Sequence, residues 1–369
     1  MDGVAVAPGA DDRGDAEVIL RVSDLRVDFP LASGTVEALS GFDLRLHRGE
    51  MAALVGESGS GKSVAAWSIL NLVQTPGRVV SGSIHWRGED VLAMTPERLR
   101  RYRGKEVGLI LANPRTQLHP LRRVGNQIQA VLHAHTTVTP AEAREKAAVM
   151  LAAVGMPDPA RVARSYPHEL SGGMAQRVII AMSLINSPQL VIADEATTSL
   201  DVTVQRQVLD LMTDLVHRHD ASMLMITHDL GVVAQYCKYV TVMYAGQAVE
   251  ATETDRLFAQ PLHPYTRGLL GTVRAAGMER GDPLPGMPPN PAARPAGCFL
   301  EPRCPVRLPE CKHIRPAFRE VEPGRWVRCI RFSDVVSSPV LTGPTISLRQ
   351  VASSRQEPSG TSAEPRGAS

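Results

Sequence analysis

Residues 56–63 read Gly-Glu-Ser-Gly-Ser-Gly-Lys-Ser, a complete match to G-x-x-x-x-G-K-[ST]. Glycine at this spacing lets successive backbone N–H groups turn inward around a phosphate chain. The lysine brings positive charge to the β- and γ-phosphates, and the hydroxyl that follows it is a Mg²⁺ ligand. The candidate cradle is therefore Gly56, Glu57, Ser58, Gly59, Ser60, Gly61, Lys62, Ser63 and Val64. Its flanks agree. Met51–Val55 is a short apolar run of the buried-strand type, and Val64–Val73 carries apolar residues at helical spacing. A strand, a Gly-rich loop and a helix N-terminus make an anion site from backbone geometry and dipole alone.

Working outward, the chain has 369 residues, room for about two domains with tails. Its hydrophobic content of 43% is that of a soluble globular protein. A formal charge of +2 supplies no field directed at nucleic acid or an anionic membrane, so no nucleic-acid partner is expected. The longest apolar stretch, Val178–Ile185, is far short of a bilayer span. Residues 1–16 are small and acidic, with no basic region leading into an apolar core. They read as a disordered arm, not a secretory signal. The expected compartment is the cytosol, where the five cysteines are ligands or core residues rather than disulfides.

From Val18 apolar residues alternate with polar ones: Leu25, Val27 and Phe29 in one run, Phe42, Leu44 and Leu46 in the next, with Ser33-Gly34 as a turn between them. Period two predicts half-buried, antiparallel strands. Residues 90–170 read as mostly helical. Thr139-Pro140-Ala141-Glu142 is a helix start with its stop at Gly155. Then Leu190–Ala193, Ser222–Ile226 and Tyr239–Tyr244 read as strands, with a helix over Gln205–His219, which predicts a mainly parallel sheet with crossovers. Prolines between Pro283 and Pro295 mark a stiff connector, a Cys-bearing segment follows to about residue 330, and the Ser/Pro/Gly-rich end reads as disordered.

Three further clusters carry chemistry. Leu190–Ala193 runs into Asp194-Glu195, where Asp194 is placed to reach the Mg²⁺ set by Ser63 and Glu195 to polarise a water for in-line attack. Thr227-His228-Asp229 ends another apolar run, where an imidazole can bond the γ-phosphate and that water. The third is Leu170-Ser171-Gly172-Gly173-Met174-Ala175-Gln176-Arg177, a Ser-capped helix start with free amides and room for close approach.

Taken with the phosphate loop, Asp194-Glu195, Ser199-Leu200-Asp201 and His228, this segment resembles the ATP-binding-cassette ATPases over residues 18–270. The resemblance implies an α/β fold: a phosphate-loop core, an antiparallel β subdomain, a helical signature subdomain over about 90–175 and a small Cys-rich C-terminal segment. The expected boundaries are 1–16, 17–270, 271–332 and a disordered tail over 333–369. It implies ATP hydrolysis with Lys62, Glu195 and His228 catalytic and Mg²⁺ on Ser63 and Asp194. Ser171, Gly172, Gly173, Gln176 and Asp201 would serve nucleotide held by a second cassette, and two cassettes would sandwich two ATP molecules. Phe29 would stack on adenine, its other reading being an ordinary edge-strand aromatic. Tyr166-Pro167-His168-Glu169, Met243-Tyr244-Ala245-Gly246 and His263-Pro264-Tyr265-Thr266 are similar to segments of the ATPase subunits of oligopeptide and dipeptide importers, which related nickel importers share. That implies two transmembrane permease subunits, an extracytoplasmic substrate-binding protein and a peripheral position on the cytoplasmic face of the plasma membrane. The alternative is a soluble or regulatory ATP-binding protein of low intrinsic activity.

Cys298, Cys304, Cys311 and Cys329 are separated by 5, 6 and 17 residues, a spacing open to tetrahedral Zn²⁺, an iron–sulfur cluster or unmetallated thiols. Gly-Cys-Phe-x-x-x-Arg-Cys-Pro, residues 297–305, resembles the C-terminal segment of the peptide-importer ATPases, which implies a [4Fe–4S] cluster. Cys237, among Val232, Val233 and Tyr236, reads as packing. The chain departs from the family in two places. Ala112 stands where the family has a Gln that contacts Mg²⁺ and water, with Gln117 five residues late, and Ala196 stands where it usually has Pro. Binding with slow turnover at this chain's own site is the expectation. Arg98, Arg100, Arg101, Arg103 and Lys105 form a basic run, read as a solvated helix face or a surface for a membrane subunit.

Overall fold

The structure is a computed structural model that describes residues 17–32, 34–198, 200–272 and 284–333. Ser33, Ser199, Pro283, the expected disordered arm 1–16 and all of the tail after residue 333 lie outside the described residues.

Strands β1 (Val18–Leu31) and β2 (Gly34–His47) pair antiparallel, as their alternation predicts. Next come β3 (Met51–Val55), helix α1 (Lys62–Ile69), β4 (Arg78–Trp86) and β5 (Glu89–Asp90). The first sheet has the order β2-β1-β4-β5. Leu25 and Val27 are fully buried on its inner face and Phe29 is half-buried. Helix α1 stops at Ile69, earlier than the apolar pattern implies, and Asn71 there takes a left-handed φ of 51°.

Between the sheets' strands lies a helical region. After α2 (Pro96–Arg101) and β6 (Val107–Leu111) come α3 (Pro114–Gln117), α4 (Val124–His133), α5 (Pro140–Ala153), α6 (Pro159–Arg164) and α7 (Gly172–Leu184). At the start of α5 the Glu142 N–H donates to the Thr139 hydroxyl, and the Thr139 N–H donates to the Glu142 carboxylate. Gly155, at φ 74°, terminates the helix.

The second half supplies β7 (Leu190–Asp194), α8 (Val202–Arg218), β8 (Ser222–Thr227), α9 (Leu230–Tyr236), β9 (Tyr239–Tyr244), β10 (Gln247–Glu253), α10 (Thr254–Ala259) and α11 (Pro264–Gly271), followed by β11 (Arg319–Glu322) and β12 (Arg325–Val327). The main sheet runs β11-β12-β10-β9-β3-β8-β7-β6, parallel from β9 to β6. Every residue of β3 and β7 is buried, as befits strands covered on both faces. Their register decides the site: Val55 lies opposite Thr227, Asp194 opposite Ile226 and Leu111 opposite Asp194. The carboxyl ends of β3, β6, β7 and β8 therefore reach one edge together.

Two sequence readings are refined here. The C-terminal segment is part of the main sheet, because β12 pairs with β10 through Ala251 and Trp326. Arg319-Glu-Val-Glu and Arg325-Trp-Val flank Pro323-Gly324, a turn signal that sequence reading passed over. The basic run lies on an exposed helix face, with Arg101 76% exposed, and its cations are engaged by neighbouring groups. Arg98 pairs with Glu89 and Glu106, Arg101 with Glu106, Arg103 donates to the Leu70 carbonyl, and Lys105 donates to the Asn186 carbonyl.

Arg328 locks the segment down. Its guanidinium donates to the Ala248, Gly41 and Pro316 carbonyls and to the Asp43 carboxylate at 2.9 Å. Arg328→Met would strand those acceptors, so unfolding free energy is expected to fall by about 2–3 kcal/mol, the scale of hydrogen bonds to a charged group. A urea midpoint unchanged from the parent chain, at constant slope, would contradict this.

Candidate functional site

The loop from β3 to α1 is pressed against the chain behind it. A Cβ on Gly56 would sit 2.2 Å from the Met243 carbonyl oxygen. Gly61, at φ 104°, would place one 2.8 Å from the Ala38 carbonyl oxygen, so only glycine fits either position. The Gly246 N–H donates to the Ser60 carbonyl at 2.8 Å and ties the loop to the β9–β10 turn. Lys62, 6% exposed, folds over the loop: its Nζ donates to the Gly56 carbonyl at 2.9 Å and the Glu57 carbonyl at 3.0 Å. Burial pushes its pKa down, against the pull of the Glu195, Asp194 and Glu57 carboxylates.

Asp194 ends β7 at this edge. Burial raises its carboxyl pKa, a hydrogen bond from the Ser63 hydroxyl lowers it, and neighbouring Glu195 raises it. Its Oδ1 is buried and has no hydrogen-bond partner among the described residues. A hydroxyl beside a carboxylate with an unsatisfied buried oxygen is a donor set that fits a hard divalent cation. Glu195 follows in a left-handed conformation, φ 47°, which turns its carboxylate back over the strand ends. Its Oε1 lies 3.3 Å from His228 Nδ1, and its Oε2 accepts from the Thr198 hydroxyl at 3.2 Å. The structure thus gathers Lys62, Ser63, Asp194, Glu195 and His228, as the sequence predicts.

The other predicted residues lie elsewhere. Ser171 Oγ accepts the Met174 N–H at 3.3 Å and caps α7. A Cβ on Gly173 would meet Val204 Cγ1 at 2.8 Å, so α7 starts in close contact with α8. Asp201 caps α8 by accepting the Val204 N–H at 3.0 Å. Gln176 is fully buried, and neither its amide oxygen nor its nitrogen has a partner among the described residues. Phe29 lies against Gly77, where a Cβ would come within 2.4 Å of its ring. Ala112 follows Leu111 at the edge of the site, and only a methyl group stands there. The Gln117 side chain donates to the Leu111 and Ala112 carbonyls at 2.9 and 3.1 Å, so it is bonded to its own loop. Ala196 is buried.

Sequence reading missed two groups at the loop. The Glu57 N–H donates to the Tyr265 hydroxyl at 2.9 Å, and the Glu57 carboxylate pairs with both Arg303 Nη atoms, at 3.1 and 3.3 Å. Arg303 is legible in the sequence only as the Arg of Phe-x-x-x-Arg-Cys, where the cysteines draw the reading.

Cys298, Cys304, Cys311 and Cys329 line one small, largely apolar cavity of about 20 Å³, together with His263 and Leu300. Burial pushes the thiol of Cys304 up to about 11 and that of Cys329 up to about 12. No three His, Cys, Asp or Glu side chains form a metal-holding group among the described residues. The four thiols share this cavity without forming the geometry of the expected [4Fe–4S] or Zn²⁺ centre. Cys237 is buried, with its pKa raised to about 12, and packs in the core as expected. Among the described residues no helix is long and apolar enough to cross a membrane.

Comparison with known proteins adds to this geometry. Residues 39–198 match the family described as ABC transporter, and residues 249–311 match that described as oligopeptide/dipeptide transporter, C-terminal region. The chain is 42% identical to a probable peptide ABC transporter ATP-binding protein, y4tR, of Sinorhizobium fredii, over 87% of this chain and 97% of that protein. It is 43% identical to the oligopeptide transport ATP-binding protein OppD of Salmonella typhimurium, over 86% and 94%. It is 40% identical to the dipeptide transport ATP-binding protein DppD of Bacillus subtilis, over 89% and 98%. Among solved structures, the dimeric cassette MJ0796 superposes with a TM-score of 0.57 at 23% identity, over 64% of this chain and 98% of that one, which is a likeness of fold.

Proposed function

This chain belongs to the ATP-binding subunits of peptide ABC transporters, and from that premise we propose that it hydrolyses ATP to energise import of oligopeptides or dipeptides. The observation that carries the reading is the meeting of Lys62, Ser63, Asp194, Glu195 and His228 at the carboxyl edge of four parallel strands. Residues 56–64 offer backbone amides and the Lys62 ammonium to the phosphates. Ser63 and Asp194 would hold Mg²⁺, which supplies charge neutralisation at the β- and γ-phosphates. Glu195 orients the attacking water and accepts its proton, and His228, bonded to Glu195, fixes that carboxylate and reaches toward the γ-phosphate. Phe29, half-buried beside Gly77, is assigned to the adenine.

The capped tip of α7, with Ser171, Gly172, Gly173 and Gln176, and Asp201 beside it, is assigned to nucleotide held by a second cassette. Two cassettes closing on ATP would drive two transmembrane permease subunits, fed by an extracytoplasmic binding protein, with this chain peripheral on the cytoplasmic face. The ordered relation of ATP binding to closure makes nucleotide a bias on a two-state interface. Glu195→Gln is expected to retain Mg·ATP binding while steady-state hydrolysis by the assembled transporter falls at least ~10²-fold. Hydrolysis at the parental rate would remove Glu195 from the chemistry.

Ala112 supports a slower site on this chain than on its partner cassette, because no polar atom stands at the position and Gln117 is occupied with its own loop. Restoring the amide with Ala112→Gln is expected to raise turnover of this site by on the order of 10²-fold. An unchanged rate in single-turnover measurements on the assembled complex would argue that the methyl group is innocuous.

For Cys298, Cys304, Cys311 and Cys329 we propose thiolate ligation of a metal, an iron–sulfur cluster or Zn²⁺. What supports this is four soft donors on one cavity; ligation requires them to move from the positions seen here. Protein purified without oxygen is expected to carry iron with visible absorbance, or zinc without it, and to lose either in Cys304→Ala. Metal-free protein with all four thiols titratable would overturn this reading.

A further inference from the structure

The phosphate loop carries an acidic residue at its second position, close to where a polyanion must bind. An unpaired carboxylate there would repel phosphate and compete for the Lys62 ammonium. The structure resolves the conflict from outside the cassette. Arg303 sits on the single turn between Cys298 and Cys304, is 7% exposed, and takes both oxygens of Glu57 on its two Nη atoms, at 3.1 and 3.3 Å. The guanidinium has little freedom. Its Nε donates to the Pro285 carbonyl at 2.9 Å, Nη1 approaches the Tyr244 hydroxyl at 3.4 Å, and the group lies 5.8 Å from the Tyr244 ring centre. Tyr244 in turn packs on Tyr265, ring centres 4.6 Å apart, and Tyr265 accepts the Glu57 N–H at 2.9 Å. Glu57 is thus held at its carboxylate by one side chain and at its backbone by another, both contributed by the last third of the chain.

We propose that Arg303 is a positioning residue for ATP binding: by holding the Glu57 carboxylate away from Lys62 and the phosphates, it makes nucleotide affinity depend on the seating of the Cys-bearing segment. The proposal rests on the ATPase reading above. Two parallel N–H donors on one carboxylate fix direction as well as charge, which a surface ion pair does not. The same side chain that neutralises Glu57 is fixed within the turn that bears Cys304, so displacement of that turn displaces the loop's counter-charge.

The test is equilibrium binding of Mg·ATP to the full-length protein, with KM and kcat in the assembled transporter and a thermal melt of each variant. Arg303→Gln is expected to weaken Mg·ATP binding about tenfold, the effect of 1.4 kcal/mol, with KM rising and kcat held. Arg303→Lys keeps the charge without the fork and is expected to recover part of the loss. Glu57→Gln leaves a cation beside the phosphates and is expected to tighten binding about threefold. In the Glu57→Gln background, Arg303→Gln is expected to cost less than twofold, because its object has gone. Four outcomes overturn the inference: parental affinity in Arg303→Gln; no recovery in Arg303→Lys; an equal loss on adding Arg303→Gln to Glu57→Gln, which would make Arg303 a support of the segment alone; or weakened binding in Glu57→Gln, which also decides the matter should Arg303→Gln fail to fold. Absence of Mg·ATP binding by the parental protein would instead fail the ATPase reading itself.

Discussion

Four parallel strands that stop at one level are the constraint on which the rest depends. Apart from Asp194 at the end of β7, β3, β6, β7 and β8 carry no side chain of the site's chemistry, and their hydrophobic sequences are what any doubly covered sheet requires. The register between them turns three unrelated sequence segments into one site. Val55 delivers the loop, Asp194 the carboxylate and Thr227 the turn into His228, with a shift of one residue in any pair enough to move a functional group to the wrong level or face. Backbone strain is spent at that edge and little elsewhere in the site. Glu195 takes a positive φ, and the strand above it is tied by its N–H to the Ile226 carbonyl.

Much of this was legible. The loop, the two carboxylates and the histidine announce themselves because each needs particular residue types directly after an apolar strand, and such local demands survive in sequence. The capping box at Thr139 and the alternation from Leu25 to Phe29 are local in the same way. What stayed hidden is long-range. Arg303 and Glu57 are joined across 246 positions, and Arg328 and Asp43 across 285. Nothing in either neighbourhood names the other. The four cysteines show the opposite case: residue type suggests a function strongly, while the structure gives a shared cavity and no ligating group among the described residues. The basic run, five cations in eight positions, reads as a surface feature, and sequence does not show that Glu89, Glu106 and the carbonyls of Leu70, Ala134 and Asn186 engage it.

Two alanines near the site have different physical weight. Ala196 is buried beside Glu195, whose N–H is bonded to the Ile226 carbonyl. Ala112 puts a methyl group at the site's border, and the nearby Gln117 amide is already committed to two carbonyls. Moving Gln117 into the site would break both bonds and leave those carbonyls to find other donors, so the structure opposes that compensation.

The condition of Lys62 shows how the site avoids the cost of waiting. A buried ammonium is unfavourable unless it is bonded, and here the Gly56 and Glu57 carbonyls bond it while the Glu195 and Asp194 carboxylates lie near enough to favour its charge. Phosphate oxygens can replace those carbonyls acceptor for acceptor, so binding exchanges one set of hydrogen bonds for a stronger, charge-assisted one and buries no new cation. The exchange is favourable only if the carbonyls, once released, do not drag the loop with them. Close packing of Gly56 on Met243 and Gly61 on Ala38, and the grip of Tyr265 and Arg303 on Glu57, hold the backbone still while the lysine changes partners. Preorganisation of the cradle is thus a property of three distant parts of the chain, and the apparent self-sufficiency of an eight-residue motif is an effect of reading it in one dimension.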